Sequence, residues 1–217
     1  MKFSVVIPLY NKEHYIEATI QSVLNQTCTD FEVLVVDDGS KDNSLALARK
    51  FESDRVRVIP QENQGVSVAR NTGIREARGE YLLSLDSDDW WEDSEVLGVV
   101  ARRLEQTQAE VLSFDYRKSY DGRKTPPYFG KEDAKEFTLE YMMKEGLWVN
   151  GICNKAVSRR LFEDNTLNFR PKVSSEDMDW PLRLALKAER FDYLQQVVFV
   201  YRQRATSLSH SVSPKRV

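Results

Sequence analysis

Short runs of β-branched and apolar residues alternate with stretches of helical period through the first half of the chain. Phe3 to Pro8, Phe31 to Asp37, Val56 to Pro60, Tyr81 to Asp86 and Val111 to Tyr116 predict strands, most of them too uniformly apolar to face water. Between them Ile16, Ile20, Val23 and Leu24 recur at helical spacing, as do Leu45, Leu47, Ala48 and Phe51, and again Val96, Val100, Ala101 and Leu104. The alternation predicts βαβ units, hence an α/β fold with a mainly parallel central sheet flanked by helices. After Tyr116 the pattern breaks. The stretch DGRKTPPYFGKEDAK gathers turn-forming and charged residues and predicts a loop over a site, with Asp121 and Gly122 suited to a tight reversal. A smaller mixed region follows, with helices expected around Leu139 to Glu145, Arg159 to Glu163 and Glu176 to Glu189, and a strand from Phe191 to Tyr201. The tail SHSVSPKRV reads as disordered or as the cut end of a longer protein.

Composition narrows the picture. With 217 residues, 41% of them hydrophobic, the chain can bury one good core, so one domain is expected. Its 31 basic and 34 acidic side chains give a net charge of −3, which provides no field to collect nucleic acid or an anionic membrane. The longest unbroken apolar run, Val197 to Tyr201, is far short of the ~20 residues of a membrane span. The opening MKFSVVIPLY has no signal-peptide h-region, so a cytoplasmic location is expected. Cys28 and Cys153, at unrelated spacing in apolar surroundings, read as reduced packing residues.

In an open α/β sheet the ligand crevice lies beyond the carboxyl ends of the strands. Strand one ends in Pro8, Leu9, Tyr10 and Asn11, strand two in Asp37, Asp38, Gly39 and Ser40, and strand four in Asp86, Ser87, Asp88 and Asp89. Any one of these reads plainly as a turn with a helix cap, the last before Trp90. Three on one sheet edge predict a site. Asp86 and Asp88 are two apart, so an extended backbone would aim both carboxylates to one side, with Asp89 beside them. Two such charges about 6 Å apart repel by roughly 3 kcal/mol at an effective dielectric of 20. Mn²⁺ or Mg²⁺ would offset that and take phosphate oxygens into its remaining positions. Neither GxGxxG nor a P-loop occurs in the chain. A nucleotide base would then be held by stacking on Tyr10 while Asp38 accepts a ring N–H, such as uracil N3–H.

The segments MKFSVVIPLYNKEHYIEATIQSVLNQTCTDFEVLVVDDGSKD, ENQGVSVARNTGIREARGEYLLSLDSDDWW and SSEDMDW resemble the family 2 inverting glycosyltransferases with the glycosyltransferase A fold, closely from Met1 to about Val100 and more loosely beyond. The resemblance implies a single Rossmann-like domain over residues 1–217. Residues 1–116 would bind the nucleotide sugar, and 117–217 would supply the acceptor side and a C-terminal loop. It implies that Pro8, Tyr10 and Asp38 hold the uracil and ribose of a UDP-sugar and that Asn63 and Arg70 approach the nucleotide. Asp86, Ser87 and Asp88 would bind diphosphate and metal, with Asp88 favoured as the direct ligand and Asp89 its rival. Asp177 matches the family's catalytic base, with Glu176 as a neighbour that positions the acceptor or the base. As a bare sequence, Glu176 and Asp177 read as acids at a helix start, where the dipole lowers a carboxylate's pKa. A weakened base and a late proton transfer are therefore expected. YRQRATSLSHS resembles a loop closing over the diphosphate, with Arg202, Arg204 or His210 available to it; the plain alternative is a solvated basic loop. Trp148, Asn150 and Asn154 fall on the acceptor side. Trp90, Trp91 and Trp180 are core aromatics by the simpler reading, His14 a surface residue, and Arg102, Arg103, Arg159 and Arg160 solvated helix faces.

The expected function is metal-dependent, inverting transfer of a sugar from a nucleotide sugar to a glycan or lipid-linked acceptor hydroxyl, in surface polysaccharide or cell-envelope synthesis. No nucleic acid partner is expected, and a lipid-linked acceptor would draw the protein to the inner face of the membrane. A nucleotidyl or phosphoryl transferase using the same acids would need a nucleophile or glycine-rich loop after strand one, and neither is present. A non-catalytic sugar-nucleotide-binding module would have no use for Asp177.

Overall fold

The computed structural model describes residues 1–120, 122–126, 137–173 and 176–203. The first half runs β1 (Phe3–Leu9), α1 (Ile16–Leu24), β2 (Phe31–Asp37), α2 (Ser44–Arg49), β3 (Val56–Pro60), α3 (Val66–Glu76) and β4 (Tyr81–Ser84). After it come β5 (Trp90–Trp91), α4 (Val96–Thr107), β6 (Val111–Tyr120), β7 (Arg123–Lys124), α5 (Leu139–Lys144), β8 (Lys155–Ser158), a 3-10 turn (Arg159–Phe162), α6 (Glu176–Lys187) and β9 (Phe191–Gln203).

β1 and β2 are buried at every position, as their unbroken apolar runs predict, because helices cover both sheet faces. Side chains alternate along β1. Phe3, Val5, Ile7 and Leu9 enter a core with α1, α2 and α4, while Val6 enters a second core with Leu34, Met142 of α5 and Trp180 and Leu184 of α6. The sheet order is β3-β2-β1-β4-β8-β6-β9-β5, with β7 pairing β6. The first four strands are parallel, and β8 joins β4 and β6 antiparallel. From β1 the chain steps outward to β2 and β3, then returns through α3 to β4 on the other side of β1. The strand order therefore reverses between β1 and β4, which opens a crevice at their carboxyl ends.

Four differences from the sequence reading have physical causes. α3 went unpredicted because its buried face is Ser67, Ala69, Arg70, Thr72 and Gly73, small or polar residues that leave no apolar stripe. Its glycine lets the helix lie close on β1, where an added Cβ at Gly73 would stand 2.3 Å from Val6 Cγ1. β6 runs four residues past Tyr116, because β9 pairs it through Tyr120 and β7 adds a second partner at Ser119 and Tyr120. The short β8 sits in a mixed stretch without alternation, and Trp90–Trp91 is a strand against Val200 and Phe199 of β9 rather than a helix start. The predicted reversal is the β6–β7 turn, with Gly122 at φ 81°; Asp121, residues 127–135 of the expected loop and the tail from 209 lie outside the described residues. Among the described residues no helix is long and apolar enough to cross a membrane.

Candidate active site

Pro8 sits in a central strand without disrupting it. The carbonyl of Val6 accepts from Leu85 N–H on the β4 side and that of Leu9 from Asp38 N–H on the β2 side, so position 8 points toward β4, beyond its last paired residue. No ladder bond is lost there, and the crevice begins at that point. Past it, Asn11 takes φ 50°, donates N–H to Ser40 Oγ (3.0 Å) and accepts Lys41 N–H (2.8 Å), joining the ends of β1 and β2. Tyr10 is left 41% exposed at the crevice mouth.

Asp38 is 2% exposed and closes the loop before α3. Its Oδ1 accepts from Gln61 Nε2 (2.7 Å) and Gln64 N–H (2.9 Å), its Oδ2 from Gly65 N–H (2.8 Å), and its carbonyl from Asn63 Nδ2 (2.7 Å). A carboxylate has about four acceptor positions. One on Oδ2 remains for a ligand donor.

The acids after β4 form a turn, not the extended segment expected from their spacing. Asp89 N–H donates to the Asp86 carbonyl (3.0 Å), and the Thr19 hydroxyl lies between the Ser87 and Asp89 carbonyls (3.1 and 2.7 Å). The three carboxylates take different partners. Asp86 meets Arg70 Nη2 at 2.9 Å, Asp88 meets Lys12 Nζ at 2.9 Å, and Asp89, 2% exposed, accepts Arg202 N–H at 2.8 Å. Burial pushes the Asp89 carboxyl well above the usual range; Asp86 and Asp88 add to this, and the Arg202 N–H opposes it. The repulsion predicted for this cluster is thus offset by Lys12 and Arg70. Lys12 was missed in the sequence, although a lysine two residues beyond Tyr10 on the same sheet edge is the natural counter-charge to those acids.

Among the described residues no three acidic, histidine or cysteine side chains converge as a metal cage. Asp86 and Asp88 nevertheless fit a hard cation, because Mg²⁺ and Mn²⁺ sites commonly use one or two carboxylates and fill the shell with water and phosphate oxygens. Asp89, turned inward to the backbone of β9, fits as the anchor of the turn.

Arg70, on the buried face of α3, is 5% exposed and spans two elements. Its Nη1 donates to Glu176 (3.3 Å), its Nη2 to Asp86, and its guanidinium lies 5.6 Å over Phe169. Burial works against its charge, but Asp86 and Glu176 more than offset this and raise its pKa. Phe169 in turn stacks on Trp180 of α6 (4.9 Å, 13°). Asp177, next to Glu176, opens to solvent on one side. Desolvation by the surrounding protein raises its pKa; Arg70 opposes that, and the charges of Asp86 and Glu176 add to it. This reverses the sequence expectation. Helix position alone argued for a lowered pKa, whereas desolvation, helped by the charges of Asp86 across the crevice and of the adjacent Glu176, raises it.

Arg202 is no solvated loop residue. Its Nε donates to the Asp88 carbonyl (2.8 Å) and its guanidinium lies between Trp90 (4.5 Å) and Tyr15 (5.0 Å). Arg204 and His210 lie outside the described residues, as does Ser175. Trp91, Trp148 and Trp180 are core residues, 4%, 8% and 3% exposed, and Asn154 is buried, which leaves Asn150 as the exposed member of the expected acceptor set. Arg103 forms a two-pronged pair with Asp192 (2.6 and 2.9 Å) instead of a solvated face. Cys28 and Cys153 are free thiols, and burial pushes that of Cys153, beside Asp86, well up.

Residues 4–166 match the family model described as Glycosyl transferase family 2. The chain belongs to this family. Its fold is the glycosyltransferase A fold of Staphylococcus aureus TarS: the structure of TarS 1–349 in complex with UDP-GlcNAc matches 98% of this chain and 62% of that chain with a TM-score of 0.86 at 29% identity. Among family relatives in sequence, the uncharacterized glycosyltransferase EpsJ of Bacillus subtilis is 33% identical over 95% of this chain and 62% of its own length. The cholesterol galactosyltransferase of Borreliella burgdorferi is 30% identical over 98% of this chain and 63% of its length. The chain thus spans a little over three-fifths of these relatives.

Proposed function

We propose that the chain transfers a sugar from a nucleotide sugar, specifically a UDP-sugar, to a hydroxyl of a glycan or lipid-linked acceptor, with inversion at the anomeric carbon and with Mn²⁺ or Mg²⁺ at the diphosphate. The observation that carries this reading is the likeness to TarS holding UDP-GlcNAc, at 29% identity over 98% of the chain.

Tyr10, Asp38 and the wall at Pro8 and Asn63 hold base and ribose. Arg70, Asp86, Ser87 and Asp88 surround the diphosphate, with Asp86 and Asp88 as the residues that would hold the cation and Asp89 fixing their turn. A bound divalent cation supplies positive charge at the diphosphate oxygens as the sugar departs. On this chain Arg70 and Arg202 contribute to the same end, as preorganised charge held by the fold. The acceptor oxygen forms its bond to the anomeric carbon from the face opposite the diphosphate, the bond to the diphosphate oxygen breaks, and the acceptor proton passes to Asp177. Glu176 holds Arg70 in place and keeps the Asp177 pKa up. The setting we infer is cell-envelope glycan synthesis on the cytoplasmic side, at the inner face of the membrane where the acceptor is lipid-linked. The relative named poly(ribitol-phosphate) β-N-acetylglucosaminyltransferase TarS, 31% identical over 93% of the chain, supports that setting.

Calorimetric titration of UDP, GDP and TDP, with and without Mn²⁺, tests the donor. UDP should bind best and Mn²⁺ should tighten it, an effect that Asp88→Ala removes. Asp177→Asn should keep UDP affinity and lose transfer by about 100-fold or more. Binding of only a guanine or thymine nucleotide would overturn the donor assignment, and loss of UDP affinity in Asp177→Asn would overturn the role of that residue.

A further inference from the structure

Residues 147–154, between α5 and β8, contain no regular element, yet a charge buried beneath them holds their backbone. The Lys155 side chain begins β8 and is 1% exposed. Its ammonium donates to the Val149 carbonyl (2.7 Å), the Gly151 carbonyl (2.9 Å) and Asn154 Oδ1 (2.9 Å), and it lies 4.8 Å over the Trp148 ring. An ammonium has three N–H donors, and each has an acceptor here, with the ring face adding a cation–π contact. Saturated and buried, Lys155 has nothing to offer a substrate directly. What it grips is informative: the carbonyls of Val149 and Gly151 flank Asn150, whose side chain is exposed.

The segment borders the site. Ile152 and Lys155 line a cavity of about 30 Å³ together with Arg70 and with Trp180 of α6, the helix whose first turn carries Asp177. The Cys153 thiol, in the same segment, meets the backbone of Asp86. Fixing this strip of chain therefore fixes a wall behind Arg70 and against the backbone of Asp86.

We propose that Lys155 is a positioning residue for the acceptor, its ammonium locking the backbone on both sides of Asn150 so that the Asn150 amide is presented to an acceptor hydroxyl. The inference rests on the transferase reading above and adds to it two residues that ligand contacts of the donor half do not explain. A merely structural lysine would support stability without distinguishing donor from acceptor.

The test compares wild type, Asn150→Ala, Lys155→Met and the double variant at pH 6.5, on the charged side of a lysine pKa that burial lowers to about 7. Transfer from UDP-N-acetylglucosamine, UDP-glucose and UDP-galactose to octyl glucoside, octyl galactoside and octyl N-acetylglucosaminide is read by mass spectrometry, and UDP binding by calorimetry. Both single variants should keep the UDP Kd within about twofold and raise the acceptor KM about tenfold, one good hydrogen bond to an uncharged group. The double variant should be no worse than the poorer single one, because the two residues act through one contact. Asn150 is exposed, so its variant keeps the proposal testable where Lys155→Met fails to fold. An unchanged acceptor KM in Asn150→Ala, or additive effects in the double variant, overturns the proposal while the transferase reading stands. A wild-type chain that binds no UDP and modifies no glycoside counts against the transferase reading itself, and the acceptor role falls with it.

Discussion

Gly73→Ala tests how α3 delivers Arg70 to the crevice. An ideal Cβ at this position would lie 2.3, 3.1 and 3.3 Å from Cγ1, Cγ2 and Cβ of Val6. Non-bonded carbons rest at about 3.5–4.0 Å, so more than ~1 Å of separation must be found. Val6 cannot supply it by rotating, because all three contacts belong to one stiff β-branched side chain on a strand paired on both sides. The helix has to lift instead. Overpacking costs about 1–3 kcal/mol, a 2.3 Å approach belongs to the upper part of that range at about 2–3, and the better helix propensity of alanine returns ~1 kcal/mol, leaving a net loss of about 1–2 kcal/mol. With a urea m-value of about 2 kcal/mol/M, the unfolding midpoint should fall by roughly 0.5–1 M. Arg70 lies on the preceding turn and moves with the helix, and a misplacement of about 1 Å can cost ~100-fold in rate. The decisive comparison adds Val6→Ala, which removes the clashing methyls. In the double-mutant cycle the pair should then be less destabilised than the sum of the singles by about 1–2 kcal/mol. A Gly73→Ala chain as stable as wild type, or a coupling below ~0.5 kcal/mol, would refute the close-packing account of α3.

Three further outcomes are expected. Asp177 must be ionised to take a proton, and its pKa is raised from 3.8, so the acid limb of kcat/KM should lie above the ordinary carboxylate range. Glu176→Gln removes one raising charge and releases Arg70 to act on Asp177, so a pH–rate profile should show that limb moving down; an upward move would mean another group sets it. Lys155 has a folded pKa of about 7 against 10.5 for a free lysine. The unfolded chain then binds more protons across that window, so urea-derived stability should rise with pH from about 7 toward 10.5, by on the order of 5 kcal/mol if no other group intervenes. Lys155→Met should flatten that slope, and an unchanged slope would discount the buried charge. Asp38→Asn keeps one accepting oxygen and sets its NH2 against the Gly65 N–H, or, flipped, against the donors of Gln61 and Gln64, and should cost about 1–3 kcal/mol in ligand-free thermal unfolding; an unmoved Tm would show that the carboxylate does not hold this loop.

The strands of the first half were legible because β1 and β2 are buried on both faces and read as unbroken apolar runs. The crevice was legible for a related reason: residues after those strands need no apolar side chains, so Tyr10, Asp38 and Asp86 stand out against them. Elements held by other means stayed hidden. α3 packs through Gly73 and a buried arginine, and Trp90–Trp91 is a strand only because residues more than a hundred positions later lie beside it. Charges were the hardest to read. The string shows three clustered acids, but which cation meets which depends on the end of β1, α3 and β9 arriving together, so the Arg70–Asp86 pairing and the inward turn of Asp89 had no local signal, whereas Lys12, close to Tyr10 on the same edge, could have been read. The pKa direction of Asp177 was misread for the same reason, since its helix position was visible while its burial in the fold and the Asp86 charge across the crevice were not.

The acidic turn follows directly on β4 at one end and is moored at the other to Arg202, 113 positions beyond Asp89. A polypeptide emerging from the ribosome can therefore bring β1, β2 and the Asp38 loop together long before it can fasten the acidic turn. Chains cut short ahead of β9 would carry every one of these acids but lack Arg202, whose backbone N–H and guanidinium hold the Asp89 carboxylate and the Asp88 carbonyl, so the turn would lose its clasp.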